Sequence, residues 1–195
     1  MLFAGLSTNQ LVILSGSPGT GKTSLVEGFC NAIGAKKKLI SVQPNWSETQ
    51  DLLGFYNPVE KKYVSTPFLD FLIEADNNPD DFYIVCLDEM NLAHVEYYFA
   101  EFLSKLESSD RQLELYSESV YLNNKEDVTK QMNIIESKYN INTDDDISNI
   151  DDINIIEKYS DLRSKLKNYL DYKHKLIIPK NIRFIGTINK DETTK

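Results

Sequence analysis

The sequence predicts an α/β fold with a parallel central sheet, and three stretches carry that prediction. Leu11 to Ser15 is a short apolar run that breaks into a glycine-rich turn and then into helical periodicity. Phe82 to Leu87 is continuously apolar and stops at two carboxylates, Asp88 and Glu89. Asn181 to Ile188 reads as a third buried strand, and it stops at Asn189. Strands covered on both faces are the habit of parallel sheets, and their polar residues collect at the C-terminal tips, where such folds do their chemistry.

The turn after the first strand is the most informative segment. Gly16, Ser17, Pro18, Gly19, Thr20, Gly21, Lys22 and Thr23 fit the phosphate-loop pattern GxxxxGK(S/T), with Ser24 and a helix following at once. A triphosphate needs several N–H groups converging on its oxygens, and a helix N-terminus adds its positive dipole end. Gly16, Gly19 and Gly21 let the main chain approach without Cβ clashes, while Pro18 stiffens the turn. Lys22 would reach the β and γ phosphates, and the Thr23 hydroxyl would ligate Mg²⁺.

The 195 residues, 41% of them hydrophobic, suffice for one folded unit. No stretch approaches the roughly 18 apolar residues of a membrane span, and Met1 to Gln10 lacks the plan of a signal peptide, so a cytoplasmic protein without membrane contact is expected. Cys30 and Cys86 are far apart in apolar segments, so buried thiols are expected rather than zinc or a disulfide framework. A net charge of −9 argues against a broad grip on nucleic acid. Most of that charge is local: between Asn142 and Asp161 seven acids face one base, Lys158.

The first helix should end near Ile33 with Gly34 as its cap, and Lys36, Lys37 and Lys38 would complement its C-terminus. Leu39 to Gln43 reads as the second strand. Ser47 to Gln50 reads as a capping box for a short helix through Leu53, and Gly54 to Ser65 as a turn or hairpin. Trp46, in the polar loop before it, has a packing role. Thr66 as N-cap and Pro67 at the first helical position open a helix with Phe68, Leu69, Leu72 and Ile73 inward.

At the tip of the Phe82 strand, Asp88 would hold the Mg²⁺ shell, and Glu89 would polarise the water attacking the γ-phosphate. Asn91 to Leu106 reads as one helix with Val95, Phe99, Phe102, Leu103 and Leu106 on its inner face, His94 serving at its start. Gln112 to Tyr116 alternates as a strand, with Leu176 to Pro179 its expected partner. Between them, Val128, Met132, Ile135 and Tyr139, and then Ile155, Tyr159, Leu162, Leu166 and Tyr169, recur at helical spacing and predict a helical hairpin projecting from the core. Its connection, Asn140 to Asn154, reads as a solvated linker. Asp144, Asp145 and Asp146 there lack the glycine and distal glutamate of a calcium loop. Asn189 would come beside Glu89 if their strands neighbour each other, and there it would orient the attacking water.

Taken together, these motifs resemble an AAA+ ATPase core: phosphate loop, DE-type Walker B, inserted β-hairpin and sensor-1 asparagine. More narrowly, DLLGFYNP, LDEMNLAHVEYYFAEFLSKLE and IPKNIRFIGTINKDETT resemble the McrB-like motor subunits of 5-methylcytosine-type restriction systems. The resemblance implies a P-loop NTPase three-layer sandwich whose roles fall on Lys22, Thr23, Asp88, Glu89 and Asn189. It also implies a ring of subunits with nucleotide held between them, driving a partner nuclease on DNA. Lys190, Asp191, Glu192, Thr193 and Thr194 stand where the McrB type carries a signature tied to GTP, which implies ATP over GTP. Against the family pattern, residues 1–195 would be a partial nucleotide-binding core with 117–175 an acidic insertion. The last strand, arginine finger, helical lid and N-terminal DNA-binding part would be missing, so that alone it turns over poorly, by about 10³-fold or more. The competing expectation is a nucleotide-gated platform whose helical insertion docks another protein. A P-loop kinase is disfavoured by the DE pair and the sensor asparagine.

Overall fold

A computed structural model of the chain describes residues 2–8, 11–141, 147, 150 and 152–190. In order, the elements are α1 (Leu2–Thr8), β1 (Leu11–Gly16), α2 (Lys22–Ile33), β2 (Lys36–Ser41), α3 (Thr49–Leu53), β3 (Gly54–Asn57), β4 (Lys62–Ser65), α4 (Pro67–Asn77) and β5 (Tyr83–Asp88). After a 3₁₀ turn at Met90–Leu92 come α5 (Val95–Tyr98), α6 (Ala100–Glu107), β6 (Gln112–Glu114), α7 (Glu118–Tyr139), α8 (Ile153–Asp171), β7 (Lys175–Ile177) and β8 (Ile182–Asn189). They form two compact units: Met1–Gly54, Ser65–Leu113 and Ile177–Lys195 make the first, and Phe55–Val64 with Glu114–Leu176 the second.

The first unit is built on four parallel strands in the order β1-β8-β5-β2, as the apolar runs predict. Side chains alternate across β8. Ile185 joins Leu6, Val26, Cys30, Ile84 and Cys86 on the face covered by α1 and α2. Phe184 meets Phe68 of α4 and Phe102 of α6, with ring centroids 6.0 and 5.1 Å away. Each such side chain, removed from water, contributes on the order of 1.5–3 kcal/mol. The result is three layers, helix on sheet on helix. The register sets Gly16 opposite Asn189, Leu87 opposite Gly186 and Ser41 opposite Asp88, so the C-terminal ends of all four strands share one edge.

Four local expectations need correction. The second strand starts at Lys36, not Leu39, so the lysines belong to an edge strand instead of trailing the helix. An edge tolerates lysine because one side of the strand stays wet. Lys36 pairs with Asp81 at 2.8 Å, and only Lys37 reaches back to α2, at Asn31. The capping box sits one residue later: Glu48 is the N-cap, and the Asp51 carboxylate accepts from the Ser47 and Glu48 N–H groups. The inner face of α4 also takes Phe71 and Ala75, whereas Ile73 is only half-buried. The helix expected from Asn91 starts at Val95 and breaks at Phe99, whose φ of −117° and ψ of −18° depart from helical geometry, and Tyr98 and Phe99 are both buried at the break. Thr66 caps α4 as expected, accepting from the Leu69 N–H, and Trp46 packs edge-on against Tyr98 at 5.2 Å.

The second unit combines the β3–β4 hairpin with α7 and α8. Val128, Met132 and Ile135 of α7 and Tyr159, Leu162 and Tyr169 of α8 are buried, as their spacing predicts. Helix α7 also begins earlier than that spacing indicates and buries Tyr121. Rings of Tyr56, Tyr116, Tyr63 and Tyr172 stack in series at centroid distances of 5.0, 5.6 and 5.6 Å. Strands β6 and β7 pair as expected but are short, three residues each, since Tyr116 leaves the ladder for that stack. Asp144, Asp145 and Asp146 of the linker lie outside the described residues.

Candidate active site

The loop between β1 and α2 takes the conformation its glycines predict. Gly19 and Gly21 have φ of 74° and 79°, in the left-handed region where side chains are strained. A Cβ on Gly16 would sit 3.3 Å from Thr20 Oγ1, which itself donates to the Ser17 carbonyl at 2.9 Å. Gly21 is the N-cap of α2 and brings no side chain to the first turn, which leaves those N–H groups for an anion. Lys22 folds back along the loop. Its ammonium donates to the carbonyls of Gly16 (3.1 Å) and Ser17 (2.9 Å) and to Asn189 Oδ1 (2.9 Å).

The tips of β5 and β8 meet this loop. Thr23 Oγ1 donates to Asp88 Oδ1 at 3.0 Å. Glu89 has φ 56° and ψ 48°, a left-handed conformation costing an ordinary residue about 1–2 kcal/mol, and such strain concentrates at functional sites. Its carboxylate accepts from Asn189 Nδ2 at 2.7 Å. The Asn189 amide therefore joins Lys22 to Glu89, its oxygen on the ammonium and its nitrogen on the carboxylate, the one orientation that satisfies both. Lys22, Thr23, Asp88, Glu89 and Asn189 thus converge, and with Pro18, Thr20 and Ser24 they line a cleft of about 310 Å³.

Two contributors escape the sequence reading. Thr187, 1% exposed, donates to Asp88 Oδ1 at 2.6 Å and accepts from the Glu89 N–H at 2.9 Å. Asn91 pairs with the Asn189 backbone, accepting from its N–H at 3.2 Å and donating to its carbonyl at 3.1 Å. The available signal was alternation: Thr187 lies two residues before Asn189 and so on the same face of the strand. His94 is exposed, N-caps α5 without a side-chain bond to its N–H groups, and contacts the side chains of Glu96 and Tyr97.

The donor set fits a hard divalent cation. Among the described residues no three His, Cys, Asp or Glu side chains cluster as a metal cage. Thr23 and Asp88 instead offer two oxygens beside an anion cradle, the arrangement in which Mg²⁺ is held jointly by protein, phosphate and water. Thiol chemistry is disfavoured, because burial, with a smaller contribution from the Asp88 charge, pushes the Cys86 thiol up to about 12, and burial raises Cys30 as well. Among the described residues no helix is long and apolar enough to cross a membrane.

Residues 11–192 match the sequence profile of the AAA domain, dynein-related subfamily. The chain belongs to that family, whose domains bind and hydrolyse ATP with Mg²⁺ and commonly oligomerise.

Proposed function

From membership of that family, we propose that this chain is the ATP-hydrolysing core of a McrB-like motor, with ATP preferred to GTP, that drives a partner nuclease on DNA. The observation that carries the hydrolytic reading is the chain of contacts from Lys22 through Asn189 to Glu89, beside the Thr23–Asp88 pair. The narrower McrB-like reading rests on the three sequence stretches quoted above, and the preference for ATP on Lys190 to Thr194, of which 191–194 lie outside the described residues.

In this reading the loop N–H groups from Gly16 to Ser24 and the Lys22 ammonium hold the β and γ phosphates. Thr23 and Asp88 would hold Mg²⁺, which supplies charge neutralisation on the phosphate oxygens. Glu89 polarises the attacking water and accepts its proton. Asn189 fixes the Glu89 carboxylate and orients that water. Residues 1–195 form the nucleotide-binding core, 117–175 are an acidic insertion in it, and the working form is a cytoplasmic ring with nucleotide between subunits.

Glu89→Gln tests the assignment in the full-length protein. Mg-ATP binding should stay at the parental level while turnover falls by about 10²-fold or more, the usual share of a general base. Equal turnover in variant and parent would remove Glu89 from that role. Competition between ATP and GTP, with and without DNA, tests the nucleotide preference and the link to DNA.

A further inference from the structure

Asp88 and Glu89 are consecutive residues with different tasks, and their backbone is bent sharply at Glu89 to keep them apart. One hydroxyl touches both. Thr187 Oγ1 donates its proton to Asp88 Oδ1 at 2.6 Å, and its lone pair accepts the Glu89 N–H at 2.9 Å. Thr187 itself is 1% exposed, so its hydroxyl depends on these two partners rather than on water. It comes from β8, the strand that also delivers Asn189 to the Glu89 carboxylate.

From this geometry we infer that Thr187 is a positioning residue, a clamp that aims Asp88 at the cation and holds Glu89 in its left-handed conformation. The inference rests on the roles proposed above for those two carboxylates. With Thr23 and Thr187 both donating to Oδ1, the Asp88 Oδ2 atom accepts no hydrogen bond from the described residues and is left for a cation. Outer-shell partners of this kind set the orientation of a metal-holding carboxylate. The second bond acts on the backbone. Without this acceptor, the half-buried Glu89 N–H no longer holds the bend, and the Glu89 carboxylate moves as the bend relaxes.

The test compares Thr187→Val, which keeps the shape and removes the hydroxyl, with Thr187→Ser, which keeps the hydroxyl. Three measurements on the full chain separate positioning from mere folding. Hydrogen exchange at the Glu89 amide, measured without ligand, should speed up about tenfold or more in Thr187→Val. Mn²⁺ affinity of the ATP-loaded protein, read from the paramagnetic signal of free Mn²⁺, should fall by about tenfold to a hundredfold, and turnover should fall with it. ATP binding in EDTA, which depends on the loop and Lys22, should stay within about twofold. Thr187→Ser should restore exchange, Mn²⁺ affinity and turnover.

Parental exchange and Mn²⁺ affinity in Thr187→Val would overturn the inference. So would a Thr187→Ser protein that folds but behaves as a hydroxyl-free variant, a comparison that survives if valine prevents folding. A parent that binds no nucleotide would instead defeat the proposed function, and the exchange comparison, which needs no ligand, would still decide on Thr187.

Discussion

Eight of the nine phenylalanines lie in the first unit, all but Phe55, whereas eight of the eleven tyrosines lie in the second, all but Tyr83, Tyr97 and Tyr98. A phenylalanine needs only space, and a four-stranded sheet covered by helices on both faces supplies it. A buried tyrosine must also find a partner for its hydroxyl. In the second unit those partners are at hand: Tyr116 donates to the Tyr172 carbonyl at 2.8 Å, Tyr169 to the Lys61 carbonyl at 2.6 Å and Tyr159 to Glu136 at 2.7 Å. The difference teaches how each unit is specified. The first is held by volume and register, the second by ring stacking and directional bonds, as suits a hairpin and two helices with little depth to bury.

That contrast can be broken, beginning with the largest expected effect. Phe184→Ala removes a fully buried ring that meets Phe68 and Phe102, and should cost about 3–5 kcal/mol in urea unfolding followed by fluorescence of Trp46. A loss no larger than that of one hydroxyl would refute the volume argument. Gly186→Ala asks whether the first unit is also intolerant of excess, since the new Cβ would collide with Met90 Sδ. It should cost about 1–3 kcal/mol, and Met90→Ala in the same chain should recover part of that, a non-additivity visible in the unfolding midpoints.

Tyr169→Phe sharpens the other side. It keeps the ring and removes the hydrogen bond to the Lys61 carbonyl, so about 0.5–1.5 kcal/mol should vanish from unfolding followed by tyrosine circular dichroism. Asp161→Asn should matter least, under about 0.5 kcal/mol at neutral pH, because the carboxylate is half exposed and screened. The Lys165 hydrogen bond holds the Asp161 carboxyl below its usual range, with Lys62 adding to it. Its small contribution is therefore present above the unfolded-state pKa and is lost as pH falls through the lower folded value. Parent and variant midpoints should converge at acidic pH.

What could be read in advance was whatever a single segment encodes. The loop from Gly16 to Thr23 carries its own conformation in glycine spacing, and the inner faces of α7 and α8 carry theirs in periodicity. The meeting of Lys22, Asp88 and Asn189 was legible too, because each ends or follows an apolar strand and parallel strands bring such ends to one edge, although β1, expected to be buried, is a half-exposed edge strand. The helix break at Phe99 was not, since no glycine or proline marks it in the sequence. The same holds for Thr187. In the sequence it is a threonine inside an apolar strand, and only the pairing of β8 with β5 sets it beside Asp88 and Glu89.

Strand β8 lies between two neighbours, and its odd-numbered positions Thr187 and Asn189 face the chemistry while Ile188 turns away. A frame error of a single residue along this strand would set Ile188 against one of the two carboxylates and remove the hydrogen-bonding side chains from both. Insertions and deletions should therefore be purged from β8 more harshly than from any loop of the molecule, because parity, rather than hydrophobicity, is what the strand contributes to turnover.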